Sequence, residues 1–500
     1  MQKIIVWHRR DLRTQDNKAL YEAQKKGEVL PVFIIDPFFF RENNETNPDR
    51  IIFMLESLED LNNQYKKLGT NLTILFGDSI QKITAISKKY DALVYYNHDT
   101  NMNFGLERDK KIANNILFKG FDNDAIIRQG NSRIEWHKNC TNYFETKLLE
   151  PKKINQKNII PQEISIQEII RKYNIKKEKS DVPKGGSREA HKRLKYFLQN
   201  IDLYTKSISK PFLSELNTSR LSAHISFGCI SLKEIYKETQ KCEFKQKKFF
   251  ITRLYWNQHF TQKMQDNPSL TTKAVNPVFE ENYDKIYSFN QEFTDAWKQG
   301  KTGYPLVDAS MRCLVKTGFL NFRMRAMVAS FFCYILKQNW KTGADFMHYH
   351  LIDADVAINY AQWQMQAGMV GIHPNRIYNP KKQIIDNDSN CEFIKKYVEE
   401  LKDIPKEYII SPEKLKNIQL TLNESKNNQL KEIKKTLKNY PKPIINFDKQ
   451  ARSARKTYKV LNEEARKRMF QDQDILIRAS LSGVAKKRFD KKEKTQTKIV

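Results

Sequence analysis

Residues Ile4–Asp36 read IIVWHRRDLRTQDNKALYEAQKKGEVLPVFIID. The runs Ile4–Trp7 and Val29–Asp36 are short, apolar and rich in β-branched and aromatic side chains, with an amphipathic stretch between them. Apolar runs of this length without polar alternation suit strands buried on both faces of a parallel sheet, and the stretch between suits a crossover helix. The pattern repeats at Asn71–Gly77 (NLTILFG) and Ala92–Asn97 (ALVYYN). Residues 1–155 are therefore expected to form an α/β domain, a Rossmann-like doubly wound parallel sheet with functional groups at the carboxyl ends of its strands. WHRRDLR, Trp7–Arg13, follows the first strand and brings three arginines and an aspartate to that end, a composition suited to phosphate.

Beyond the sheet region the chain turns polar and Lys-rich, closing on Pro183-Lys-Gly-Gly186, and residues 156–186 read as an interdomain linker. Residues 187–480 carry helical periodicity almost throughout, as in AHKRLKYFLQNI, FFITRLYWNQHF and MVASFFCYILKQNW, so the second domain is expected to be all-α. Leu415–Pro443 is charged and poor in aromatics and suits a surface helix pair, while 481–500, basic from Lys486 to Lys498, reads as a disordered tail.

At 500 residues the chain exceeds one hydrophobic core. The formal charge of +29 produces a field that concentrates polyanions, nucleic acid first among them, although a plain Lys-rich compositional bias also fits. Cys140, Cys229, Cys242, Cys313, Cys333 and Cys391 are scattered without a CxxC pair, which argues against a clustered metal centre and a disulfide scaffold. No apolar run reaches the length of a membrane span, and Met1 leads straight into a strand-like run with no signal-peptide pattern. A cytoplasmic monomer is expected.

Three stretches of the helical region carry candidate chemistry. TSRLSAHISFGCIS, Thr218–Ser231, places small hydroxyls at an expected helix start, which suits a phosphate or an ordinary cap at Asn217 or Thr218. In NFRMRAM, Asn321–Met327, Arg323 and Arg325 are two apart on a helical pattern and leave it in different directions, so they do not serve one partner. DADVAINYAQWQMQAGMVGIHPNRIYNPKKQ, Asp353–Gln383, packs acidic, amide and aromatic groups closely, as a seat for a flat redox-active ring would. Asp355 and Asn359 share a face if that segment is helical.

Together with TGYPLVDASMR, Thr302–Arg312, the segments WHRRDLR, TSRLSAHISFGCIS and DADVAINYAQW resemble, in order, signatures of the DNA photolyase and cryptochrome family, on a branch near the bacterial class I cyclobutane-dimer enzymes. The resemblance implies an all-α FAD-binding domain behind the α/β antenna domain. Tyr204, Thr218, Ser219, Leu221, Ser222 and Asn257 are implied in FAD binding, the four from Thr218 to Ser222 at the diphosphate. Arg325 is implied to pair with Asp353 beside the flavin, Asp355 to accept from the ring, and Asn359 to lie next to its reactive nitrogen. Photolyases carry Asn there, and a neutral amide that can rotate suits a stable reduced flavin. Trp363 and Trp340 match two members of the family's electron-transfer chain, and Tyr287 stands in for the third.

Trp256 and Arg323 match residues that hold the lesion. Arg253 stands where cyclobutane-dimer enzymes place Glu, Phe322 where they place Asn, and Met365 where they place a second lesion-facing Trp. A guanidinium donor does not imitate a carboxylate that accepts from a thymine edge. Folate-binding relatives place an Asn-Glu pair just before the Arg-Asp that is here Arg108-Asp109; Phe104-Gly105 stands in that place. A deazaflavin, a flavin or no second antenna chromophore remain the alternatives. The implied activity is light-driven repair of pyrimidine dimers in UV-damaged DNA by electron transfer from reduced flavin, the alternative being a cryptochrome-like blue-light photoreceptor with the same cofactor and aromatic chain.

Overall fold

The structure, a computed structural model, describes residues 1–40, 46–99, 103–129, 132–372, 376–410 and 439–479. Most of the expected surface helix pair, 415–438, and the whole tail, 481–500, lie outside them, as does the side chain of Phe104. One compact unit comprises Met1–Asp202, Ser219–Pro268 and Ile352–Ala357; a second comprises Leu203–Thr218, Ser269–Leu351 and Ile358–Val500.

The first unit holds the α/β sheet. Its strands are β1 Gln2–His8, β2 Gly27–Ile35, β3 Thr73–Phe76, β4 Ala92–Asn97 and β5 Phe118–Phe121, ordered β3-β2-β1-β4-β5. All pairs are parallel, with Ile5 of β1 opposite Leu30 on one side and Val94 on the other. The four expected strands are present, and β1 is longer than expected because Gln2, Lys3 and His8 belong to it. The fifth escaped notice because FKGF is four residues long and only partly buried at the sheet edge. Asn17, Asn47 and Asp78 cap the first turns of helices Lys18–Lys26, Pro48–Leu68 and Ser79–Tyr90, each accepting a backbone N–H that the helix leaves orphaned. The strand order reverses between β1 and β4, which opens a crevice at their carboxyl ends.

The polar stretch after the sheet is pinned along helix Pro48–Leu68. Asp49 accepts from the backbone of Glu178 and Lys179, Glu56 from Gly185, and Asp60 from Ser187. Gly185 has no room for a side chain, since a Cβ there would meet the Phe53 carbonyl oxygen at 2.2 Å. Helix Ser187–Gln199 is then tied to helix Leu232–Gln240 by His191 Nε2 and Glu234 Oε1 at 2.6 Å. The bond to Glu234 raises the His191 pKa, against the opposing effect of burial. A raised folded-state value adds stability that is complete below the unfolded value of about 6.5 and is lost as pH rises through the folded value. With the His191 side chain 44% exposed the effect is small, under about 1 kcal/mol. His191→Gln is expected to flatten the decline in melting temperature between about pH 6 and about pH 8.

The second unit is helical, with no strand among its described residues. Its core gathers Trp297, Phe331, Phe332 and Met327, all fully buried, and the Trp297 indole donates to the Val328 carbonyl. In TGYPLVDASMR the buried carboxylate of Asp308 accepts from the backbone of Thr302 and Gly303, the Thr302 hydroxyl and the Tyr440 phenol. This signature is therefore a structural staple. Gly303, at φ 76°, is required because a Cβ would meet the Lys442 backbone at 2.4 Å.

Candidate functional site

The crevice at the β1/β4 reversal is a polar cavity of about 140 Å³ within the first unit, lined among others by Arg10, Asn97, Asp99, Ser226, Asn257 and Asp355. Arg10 Nη2 donates to Asp355 Oδ2 at 2.7 Å and to Ser226 Oγ at 3.2 Å, and its Nε to the Ser226 carbonyl at 3.0 Å. WHRRDLR thus reaches an expected flavin residue directly, a link that sequence reading missed because the two positions are 345 residues apart. His98 also lines the cavity, and burial, with Arg128 adding to it, lowers its pKa. Asp353 and Asp355 precede helix Val356–Ala367, so the expectation that Asp355 shares a helical face with Asn359 is corrected: the helix begins one residue too late.

The helix-start reading of Thr218–Ser231 also needs correction. Thr218 ends helix Pro211–Asn217, where its hydroxyl donates to the Ser214 carbonyl at 2.6 Å. The helix that follows, Ser222–Ser226, is five residues long and has no side-chain cap. Such a turn carries little macrodipole, so anion affinity there rests on the local hydroxyls and backbone donors. Arg220 sits at φ 51°, the Ser219 carbonyl accepts from Arg193 Nε, and Leu221 is fully buried.

Helix Lys247–Asp266 presents Trp256 with 43% of its surface exposed, while Phe250, Leu254 and Gln258 on the opposite side are buried. The Arg253 guanidinium lies 4.5 Å from the Trp256 ring centroid. Asn257, next along, accepts from Gln258 Nε2 and lines the same cavity as Asp355.

In the second unit, Asn321 caps helix Phe322–Ser330. Arg325 Nε folds back to the Leu320 carbonyl at 2.6 Å, whereas Arg323 lies 5.7 Å from the Tyr378 ring, so the two arginines do diverge. Phe322 is 38% exposed. Tyr204 is buried at the start of helix Tyr204–Ser207. Met365 is half-buried and packs on a cluster that includes Val370, Ile372 and Met469. Asn359 Nδ2 donates to the Ala344 carbonyl at 3.0 Å. In this structure that bond holds the amide in one orientation, since a flip would lose it and set oxygen against oxygen.

Trp363 and Trp340 are buried, Trp363 with its ring 6.0 Å from Trp297 and Trp340 with its ring 6.5 Å from Tyr360. Tyr287 is buried too, and Tyr283, 43% exposed, packs on it at 5.0 Å. Burial raises the Tyr287 pKa well above its ordinary value, and its hydroxyl donates to the Met369 sulfur at 3.4 Å. On the α/β side, Asp109 accepts from both Arg9 and Arg108, and Arg9 lies over Tyr96 at 4.5 Å. The Arg-Asp pair of the antenna region is thus closed on itself by Arg9.

A family model described as the FAD binding domain of DNA photolyase matches residues 250–460, and one described as DNA photolyase matches 4–124. The chain is 28% identical to the deoxyribodipyrimidine photo-lyase of Halobacterium salinarum over 90% of this chain and 97% of that one. It is 26% identical to cryptochrome DASH of Danio rerio over 88% of this chain and 90% of that one. Among solved structures it is similar to an archaeal photolyase from Sulfolobus tokodaii, described with two FAD molecules, at 30% identity and a TM-score of 0.75, over 92% of this chain and 100% of that one.

The donor set suits FAD. Hydroxyls at Ser219 and Ser222 suit phosphate oxygens, whereas that of Thr218 is already given to the Ser214 carbonyl, and the carboxylates of Asp353 and Asp355 suit the imide N–H of a flavin ring. The cavity beside Asp355 falls below the roughly 300 Å³ at which ligand pockets begin, so by itself it admits a fragment of a dinucleotide. Identity of 30% across the whole of an archaeal photolyase chain, with both family models matching in their expected order, means that this chain belongs to the DNA photolyase and cryptochrome family.

Proposed function

We propose that this protein is a light-driven, FAD-dependent DNA photolyase that repairs pyrimidine dimers, cyclobutane dimers foremost, as a monomer in the cytoplasm. The observation that carries this reading is Trp256, a large ring held in solvent on a rigid helix of a photolyase-family chain. An exposed indole of this kind is a stacking platform for an unstacked base. Lysines and arginines neutralise DNA phosphates, so affinity falls steeply with salt. The dimer leaves the duplex cheaply because its own stacking and pairing are already damaged.

Reduced FAD, when bound, supplies the light-excited electron that splits the dimer and takes it back. By the family resemblance Trp256 and Arg323 are the residues that contact the lesion, and Arg253, Phe322 and Met365 stand at positions where the family has further lesion contacts. Asn359, Asp353, Asp355 and Arg325 set the electrostatics at the ring, and Tyr204, Thr218, Ser219, Leu221, Ser222 and Asn257 hold the rest of the cofactor. Trp363, Trp340 and Tyr287 carry electrons inward when the flavin is oxidised. Tyrosine oxidation requires the phenol to shed its proton, and the Met369 thioether facing Tyr287 does not accept one. Tyr287→Trp is expected to speed photoreduction, and Tyr287→Phe to slow it, followed by flavin absorbance under blue light.

The test is light-dependent repair by the photoreduced protein of two oligonucleotides, one with a cyclobutane thymine dimer and one with a 6-4 photoproduct, each with a dark control. Loss of the first in light alone is expected. A cryptochrome-like photoreceptor is the second reading, favoured by the donor Arg253 where an acceptor is expected and by the cryptochrome DASH relative. Repair of neither lesion by a protein with photoreducible flavin would select it.

A further inference from the structure

From Phe244 to Gln265 the sequence carries Lys245, Lys247, Lys248, Arg253 and Lys263 and no acidic residue. Residues 249, 252, 253 and 256 recur at helical spacing on helix Lys247–Asp266, with Lys245 in the turn before it, and the side opposite them is core. Two large aromatics of this face stand in solvent, Phe249 at 50% and Trp256 at 43% exposure, and Phe244, shortly before the helix, is exposed at 45%. Cations cover two of the rings, with Lys248 Nζ 5.2 Å from the Phe249 centroid and Arg253 4.5 Å from that of Trp256.

Some surface lysines elsewhere are answered locally, as Lys241 is by Glu238 and Lys192 by Glu189. Among the described residues, no carboxylate pairs with Lys245, Lys248 or Arg253, and Arg253 Nε is buried without a hydrogen-bond partner. An apolar face built for a protein core would lack the cations, and a merely solubilising face would lack the aromatics. Rings that alternate with unanswered cations match a strand whose bases stack and whose phosphates lie between them.

We propose that the solvent face of helix Lys247–Asp266, continued by Phe244 and Lys245, is a binding track for single-stranded DNA. Phe249 and Phe244 stack bases beyond the lesion at Trp256, and Lys245, Lys248 and Arg253 take the intervening phosphates. The proposal rests on the photolyase reading for its substrate. Arg253 then serves the phosphate backbone, in place of a carboxylate that reads a thymine edge.

The test is fluorescence anisotropy of the full-length, FAD-loaded protein with a dye-labelled, undamaged single strand at several salt concentrations. Phe249→Ala is expected to weaken binding about 5- to 150-fold, the range of one lost base stack. Lys248→Gln and Arg253→Gln are each expected to flatten the slope of log affinity against log salt by about 0.7. All three positions are at least partly exposed, and retained flavin absorbance and melting temperature verify folding. Parent-like affinity in Phe249→Ala together with parent-like slopes in both charge variants would overturn the track. So would displacement of the strand by polyglutamate as effectively as by unlabelled DNA of equal charge, which would mark a general acidic-partner surface. Dimer repair by the parent is measured in parallel. A parent that binds through this face and repairs nothing keeps the track and loses the photolyase reading, and a parent that repairs while Phe249→Ala and both charge variants bind normally does the reverse.

Discussion

Lys233→Met is expected to destabilise the first unit by about 3–5 kcal/mol, the cost of leaving a buried charge without its partner. Lys233 Nζ lies 2.9 Å from Asp16 Oδ1, with the two side chains 5% and 0% exposed. Asp16 is held at φ 49°, and its backbone carbonyl accepts from Arg13 Nη2 and Asn123 Nδ2. The carboxylate therefore has no route to solvent if the ammonium is removed. The paired replacement Asp16→Asn with Lys233→Met is expected to recover much of the loss, because both charges then leave together. The check is a double-mutant cycle on urea unfolding followed by circular dichroism. Equal cost of Lys233→Met in the parent and in the Asp16→Asn background would show the pair to be uncoupled.

Trp256→Ala is expected to lower affinity for a dimer-containing oligonucleotide about 5- to 150-fold, with little change in melting temperature. The ring is nearly half exposed and its loss opens no cavity in the core. The same change frees Arg253 from its stack, so affinity for undamaged strands falls less than affinity for the lesion. Binding measured side by side on damaged and undamaged strands separates the two effects. An equal loss on both would place Trp256 in general strand binding and remove it from lesion recognition.

The distribution of what was legible follows from the range of the forces involved. Strands β1 to β4 were readable because burial on both faces leaves an unbroken apolar run in four to nine residues. The helices of the second unit were readable for a similar reason, since one buried stripe imposes its period on the residues nearby. The edge strand Phe118–Phe121 was not, because a half-buried strand with a glycine carries no such run.

Site residues were legible as types and not as arrangements. The Asp353–Gln383 segment announced acids, an amide and aromatics, yet its helix begins after Asp355, and Asn359 is held by the Ala344 carbonyl. Nothing local to WHRRDLR says that Arg10 meets Asp355, or that Arg9 closes on Asp109. Apolar runs and periodicity are properties of neighbours along the chain, and they settled the fold class. The pairing of Arg10 with Asp355 and of Lys233 with Asp16, and the exposure of Trp256 beside a buried Leu254, belonged to the tertiary structure alone. Charge pairing and desolvation depend on distances through space, and those distances exist only once the chain has folded.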